Sequence, residues 1–411
     1  MKRAAILLIV LALIVGMVGC VFPSRNLEIR TWYDLDAVRH NLNGHHILMN
    51  DLDSTTAGYE ELASPTANQG RGWEPIGSYD RPFSGTFDGQ GYEIRDLFIN
   101  RPGADWAELG LFSAVASGGV IKNLGVVNAT VTGYTAVGGL VAYNEGTVTD
   151  CYFTGSVTGI QNNVGGLVGW NFGTVSDCYA TGNVAGDHSV GGLVGNSIAS
   201  TVSGCYFTGS VTGHEYVGGL VGLTSYLASD SYATGSVTGN LSVGGLVGLN
   251  SDHSKVNHCY ATGSVAGNYS VGDLVGDNRG PVSCSYATGD VTGIEDVGGL
   301  VGWNYAWGIV SNSYATGSVI GDSYVGGLVG KNYDDGTYAG NVSNSFWDTE
   351  TSGMAVSGGG IGKTTAQMQD IDTFTGVGWD IVGVANSNVR DTGYIWNIVD
   401  DVTYPFLGWQ A

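Results

Sequence analysis

Residues 164–184 read Val-Gly-Gly-Leu-Val-Gly-Trp-Asn-Phe-Gly-Thr-Val-Ser-Asp-Cys-Tyr-Ala-Thr-Gly-Asn-Val, and this stretch decides the fold because the chain repeats it. The string opened by Val164 recurs from Val137, Val190, Val217, Val243, Val271, Val297 and Val325. Its leucines, Leu140, Leu167, Leu193, Leu220, Leu246, Leu274, Leu300 and Leu328, are separated by 27, 26, 27, 26, 28, 26 and 28 residues. That period is too short for a propeller blade, and the L-x-x-L-x-L pattern of a leucine-rich repeat is missing. Each unit holds about three short runs rich in Val, Thr and Tyr, bounded by Gly, Asn or Asp, with no competing helical periodicity. One unit has too little apolar surface to fold alone, whereas copies stacked in register pair every strand with its equivalent above and below. The expected fold is all-β: a right-handed parallel β-solenoid, or β-helix, of about 26 to 28 residues per coil with N- and C-terminal caps. Eight coils at a strand spacing of about 4.8 Å make a monomeric rod roughly 40 Å long.

Composition agrees. Sixty-nine glycines and 13% charged residues in 411 are unusual for compact domains, while 43% hydrophobic residues suffice for a buried interior. The net charge of −22, from 37 acidic and 15 basic residues, excludes a nucleic-acid partner.

Two columns stand out in the stack. Asn144, Asn171, Asn250, Asn278, Asn304 and Asn332 follow the Gly-Leu-Val-Gly string or its variant by two residues, and are expected to form a structural ladder at a left-handed corner. Tyr152, Tyr179, Tyr206, Tyr232, Tyr260, Tyr286 and Tyr314 form a second column, either packed between coils or displayed as a contact column for sugar or protein. Cys151, Cys178, Cys205 and Cys259 share a position with Ser231, Ser285 and Ser313, which argues for a small side chain and free thiols; a bond between stacked neighbours such as Cys151 and Cys178 is the other reading, and Cys284 stands apart.

The ends divide the chain. Lys2-Arg3 and the apolar run to Gly19 read as an export signal over 1–20, closing on Cys20 as a lipid attachment site; an uncleaved membrane anchor is the other reading. Residues 21–73 form the N-terminal cap, with a short helix begun by Asp34 as N-cap and carrying Leu35, Val38 and Leu42. The solenoid runs over 74–345, with degenerate first coils at 74–136 and regular repeats at 137–345. The aromatic C-terminal cap, 346–411, should hold a helix near Thr365–Gln369, strands at Tyr394-Ile-Trp and Tyr404-Pro-Phe-Leu, and fold over the last coil.

Gly-Leu-Val-Gly followed by Cys-Tyr-Ala-Thr-Gly-Ser-Val resembles the GLUG-motif repeats of bacterial and archaeal surface proteins. That resemblance implies adhesins, surface-layer components and, in some members, IgA-specific metallo-endopeptidases. The H-E-x-x-H helix of such a peptidase is absent, since His214-Glu215 is followed by Gly218 where the second histidine belongs. No ligand spacing is recognisable among His40, His45, His46, His188, His253 and His258, and Asp150, Asp177, Asp230 and Asp290 read as scattered. No enzyme activity, catalytic residue or metal site is therefore expected. Calcium is the one cofactor suited to the Asp-rich turns at 51–53, 88 and 334–335. The expected function is an exported, membrane-tethered adhesin or binding scaffold that meets envelope glycan or a surface protein through a repeated face; the alternatives are a passive spacer or surface-layer brick and, below it, a polysaccharide-acting β-helix enzyme or a peptidase accessory domain.

Overall fold

A computed structural model describes residues 27–104 and 107–410; the export segment and Cys20 lie outside the described residues. The chain is an all-β parallel solenoid of about eight turns with roughly 27 residues per coil. Each coil has four faces rather than three, because the Cys-Tyr and Gly-Thr-Val-Ser segments turn onto separate faces. From Leu227 onward the fourth face is split into two short strands such as Tyr232–Ala233 and Ser236–Thr238. In one earlier coil the strands are Asn162–Gly165, Val168–Asn171, Thr174–Ser176 and Tyr179–Ala185. Pairing follows the repeat: Val164 faces Val190, Val168 faces Val194, Val175 faces Val202 and Tyr179 faces Tyr206, all parallel.

Among the described residues the third face is a twelve-stranded sheet that begins upstream of the repeats, at Leu27–Ile29 and His45–Leu48. The helix of the N-terminal region spans Trp32–Ala37 and is capped by Thr31, not Asp34. Asp34 is the third helical residue and returns its carboxylate to the Thr31 N–H at 3.0 Å, so the acid closes a capping box.

The consensus side chains fill the interior. The valine and leucine of every Val-Gly-Gly-Leu string from 137 to 301 are fully buried. The double glycine is steric: a Cβ on Gly165 would stand 2.0 Å from the Val168 carbonyl oxygen, and one on Gly139 would stand 2.2 Å from the Phe153 ring. The chain turns through left-handed backbone at two columns per coil. One includes Asn163, Ser189, Tyr216 and Ser242. The other includes Asp150, Asp177, Asp230, His258 and Asn312, so three of the four acids that read as scattered share one column.

Position 273 breaks the glycine rule. Its carboxylate is fully buried, takes the Gly289 N–H through Oδ2 and leaves Oδ1 unpaired. Burial pushes its pKa up to about 8. In the unfolded chain an aspartate titrates near 3.9, so this site costs nothing extra below about pH 4, and its penalty grows up to about pH 8. Asp273→Gly is expected to stabilise the rod by on the order of 3–5 kcal/mol at pH 8 and by much less at pH 4; denaturant unfolding of both proteins at the two pH values checks the amount and the sign.

Candidate functional site

The asparagine column lies inside the stack, and its residues are not the left-handed corners. Asn144, Asn171, Asn250, Asn278 and Asn304 are fully buried, while Asn332 is half-buried at the end. Each amide passes a hydrogen bond along the axis: Asn250 to Asn278 at 2.7 Å, Asn278 to Asn304 at 2.8 Å and Asn304 to Asn332 at 2.8 Å. Asn144 donates to Asn171 at 2.8 Å in the same way. Ser197 and Thr224 occupy the column between these runs. An amide carries both a donor and an acceptor, so it satisfies its own copy one strand spacing away. This is a structural ladder with no exposed group left for a ligand.

The cysteines are equally structural. All five described thiols are unbonded. Cys151, Cys178, Cys205 and Cys259 donate to the carbonyl two residues back at 3.0–3.2 Å. Ser231, Ser285 and Ser313 make the same bond at 2.6–2.8 Å, which explains why the two residue types interchange. Burial pushes the Cys259 thiol up to about 12, and raises Cys151 and Cys205 as well. These three are poor nucleophiles; Cys178 goes the other way, its burial outweighed by hydrogen bonds from Cys151 and Cys205 that lower it.

The tyrosines form a continuous stack. Successive rings from Tyr152 to Tyr314 are 4.8–5.1 Å apart and within 2–7° of parallel. Their faces are therefore spent on one another, leaving edges and hydroxyls outward. Tyr152, Tyr179, Tyr206 and Tyr232 are half-buried. Tyr260, Tyr286 and Tyr314 are buried, the last at 1% exposure, beneath the chain's own tail.

That tail departs from expectation. Residues 346–363 do close the rod end, with Phe346–Asp348 paired to the last Tyr-Ala strand and Ser357 Oγ accepting the Leu328 and Val329 N–H groups. The remainder runs back along the flank. Trp379 and Trp396 sit against Tyr314, Trp396 also against Tyr286, and Trp409 lies over Tyr260 and Tyr232. Tyr286 donates to Gln410 at 2.9 Å, and Tyr404 donates to the buried Asp348 at 2.7 Å. The helix Thr365–Met368 and the pairing of Trp396–Ile398 with Phe406–Leu407 agree with the sequence.

A further aromatic surface, partly exposed, is on the second face, which the repeat pattern did not single out. Outward positions there change from coil to coil: Tyr143, Trp170, Asn196, Leu223, Leu249, Asp277, Trp303 and Lys331 occupy one column. Tyr79, Tyr143, Trp170 and Phe172 cluster near one end, with ring centroids 5.1–5.7 Å apart and Tyr79 61% exposed. Trp303, Tyr305 and Tyr333 form a second cluster at 4.8–4.9 Å, with Trp307 and Tyr338 beside each other at 5.0 Å and Trp307 61% exposed. The indole N–H groups of Trp170 and Trp303 are themselves buried and have no hydrogen-bond partner. Five coil steps, roughly 24 Å at about 4.8 Å each, separate Trp170 from Trp303.

Five segments, residues 133–158, 161–185, 186–212, 239–266 and 293–320, match the GLUG motif. Halomucin of Haloquadratum walsbyi is 34% identical over 143 residues, 33% of this chain and 2% of that protein. A protein of Evansella cellulosilytica provisionally assigned as a Gly-rich membrane protein is 38% identical over 125 residues, 29% of this chain and 13% of its own. The chain thus spans only a small part of the length of these curated relatives. The crystal structure of a Bacteroides ovatus chain provisionally assigned as an immunoglobulin A1 protease aligns over 93% of this chain and 92% of its own, at 19% identity and a TM-score of 0.41.

Trp396, fully buried between the tail and the tyrosine ladder, sets the docking of the flank. Trp396→Ala is expected to cost about 3–5 kcal/mol of local stability. Hydrogen exchange should accelerate across 364–410 and at Tyr286 and Tyr314, while the strands of the coils before Tyr206 keep their protection.

Proposed function

The chain carries GLUG-motif repeats, and from that premise we propose that it is an exported, surface-held binding scaffold whose second face meets an extended polymer, envelope glycan first. The observation that supports this most is the pair of half-buried aromatic clusters around Trp170 and Trp303, edged by the exposed Tyr79 and Trp307. Stacking in a solenoid dictates the inward residues, and it does not dictate Tyr143, Trp170, Trp303 or Tyr305, which point outward. Two clusters on one rigid axis give an extended ligand two simultaneous contacts, and the second contact is intramolecular once the first is made. The acidic surface, at a net charge of −22, suits a neutral polymer better than an anionic one.

In this reading the protein holds its ligand without cleaving it. Surface attachment rests on the N-terminal apolar run and Cys20. No helix among the described residues is long and apolar enough to cross a membrane. The competing reading, a passive spacer, needs none of the outward aromatics.

Retention of the full chain on envelope polysaccharide tests the binding half. Trp170→Ala and Trp303→Ala should each weaken retention by about tenfold or more, and the double variant more than either. Equal retention of parent and double variant, or no retention of the parent, gives the spacer reading. Cell fractionation tests the attachment half: Cys20→Ala should move the protein out of the membrane fraction, and a variant that stays there contradicts lipid attachment.

A further inference from the structure

Stacking brings together side chains that lie 26 residues apart, and at one place it assembles a metal-ligand set. Asp187, His188 and His214 each present a ligand atom, and these atoms lie within 4.8 Å of one another. Glu215 pairs in register with His188, and its carboxylate stands 3.2 Å from His188 Nε2. On the other side of the same ring, Asp187 Oδ2 stands 2.9 Å from Nδ1. Yet His188 Nδ1 is buried and makes no well-formed hydrogen bond. The carboxylate and the ring nitrogen are thus close with no hydrogen bond joining them, which leaves both lone pairs free for a shared cation. From the following coil, the Asn240 side-chain nitrogen contacts His214 Nε2 at 3.2 Å and orients that ring.

We infer that Asp187, His188 and His214 bind one divalent transition-metal ion of the zinc class and clip two neighbouring coils together, with Glu215 holding the far ring nitrogen of His188. Two imidazoles with carboxylates suit zinc, which takes nitrogen and oxygen donors in fourfold coordination. Calcium prefers oxygen ligands in larger number, so the donor set separates this site from the Asp-rich turns. The remaining coils do not repeat it. The same two columns hold Gln161 and Asn162 in the coil before, and Asn240 and Leu241, then Asn268 and Tyr269, in the coils after. Half-exposed placement of Asp187 and His188 gives the ion a path from solvent. The proposal is independent of the polymer-binding face.

These columns also supply clean substitutions, because neighbouring coils already accommodate them. His188→Asn copies Asn162, His214→Asn copies Asn240, Asp187→Gln copies Gln161 and Glu215→Leu copies Leu241. The full chain, without a polyhistidine tag, is titrated with Zn²⁺ against a chromophoric chelator, and its thermal unfolding is followed with and without the ion. The expected result is one Zn²⁺ per chain with Kd at or below about 10 μM, not displaced by excess Ca²⁺, and a raised unfolding midpoint. His188→Asn and His214→Asn should each weaken binding by about tenfold or more and abolish the midpoint shift. The carboxylate variants keep the test open if a histidine variant fails to fold. Absence of a stoichiometric site in the parent, or equal binding by parent and folded variants, overturns the assignment.

Discussion

Parallel stacking in register forces every residue to lie one strand spacing from its own copy in the coils above and below. Side chains that satisfy themselves benefit from this. Asparagine donates to one neighbour and accepts from the other, giving the buried run from Asn250 to Asn332. Tyrosine stacks face to face from Tyr152 to Tyr314. Serine and thiol point to the carbonyl two residues back and leave room for the next coil. Like charges suffer from the same geometry, since repetition would line them up at close range. The chain holds 13% charged residues, and several lie opposite a partner of the other sign: Lys122 with Asp88, His258 with Asp230, Lys331 with Asp296. The Asp230 carboxylate raises the His258 pKa to about 9, with further support from Cys284.

The period made the solenoid legible, because the Val-Gly-Gly-Leu string marks each turn of the coil and the inward positions keep time with it. The number of faces was less legible. Gly173-Thr-Val-Ser reads as a turn segment, yet Thr174–Ser176 is a strand with a sheet of its own. Asparagine was a plausible corner residue by conformation, but its amide is worth more inside the stack, and the left-handed corners fall to Asp150, Asp177 and their equivalents. The tail could not be placed from sequence: its tryptophans match the exposed flank of the tyrosine ladder, a surface that exists only after the coils have stacked.

The candidate sites were harder still to read, for a related reason. Motif reading looks for ligands a few residues apart on one element, whereas a solenoid juxtaposes residues a whole coil apart. His188 and His214 are neighbours only through the register that pairs His188 with Glu215. The signal was present as two histidines 26 residues apart, one short of the 27-residue step that pairs His188 with Glu215. The outward aromatics Trp170 and Trp303 were masked in the opposite way, since attention to what recurs passes over positions that vary. In this fold, recurrence marks structure and departure from it marks where a surface has been made particular.

Register is the claim on which everything else stands, and deletion tests it most directly. Removing residues 193–245 takes out 53 residues, two full steps from Leu193 to Leu246, whereas removing about 40 residues from the same point leaves the two halves out of phase. X-ray scattering from the full chain and both deletions should show the in-phase protein folded and shorter by roughly 10 Å, two strand spacings, and the out-of-phase protein unfolded or aggregated. Equal folding of the two deletions, or an in-phase deletion that leaves the length unchanged, would contradict a rod built by coil-on-coil register.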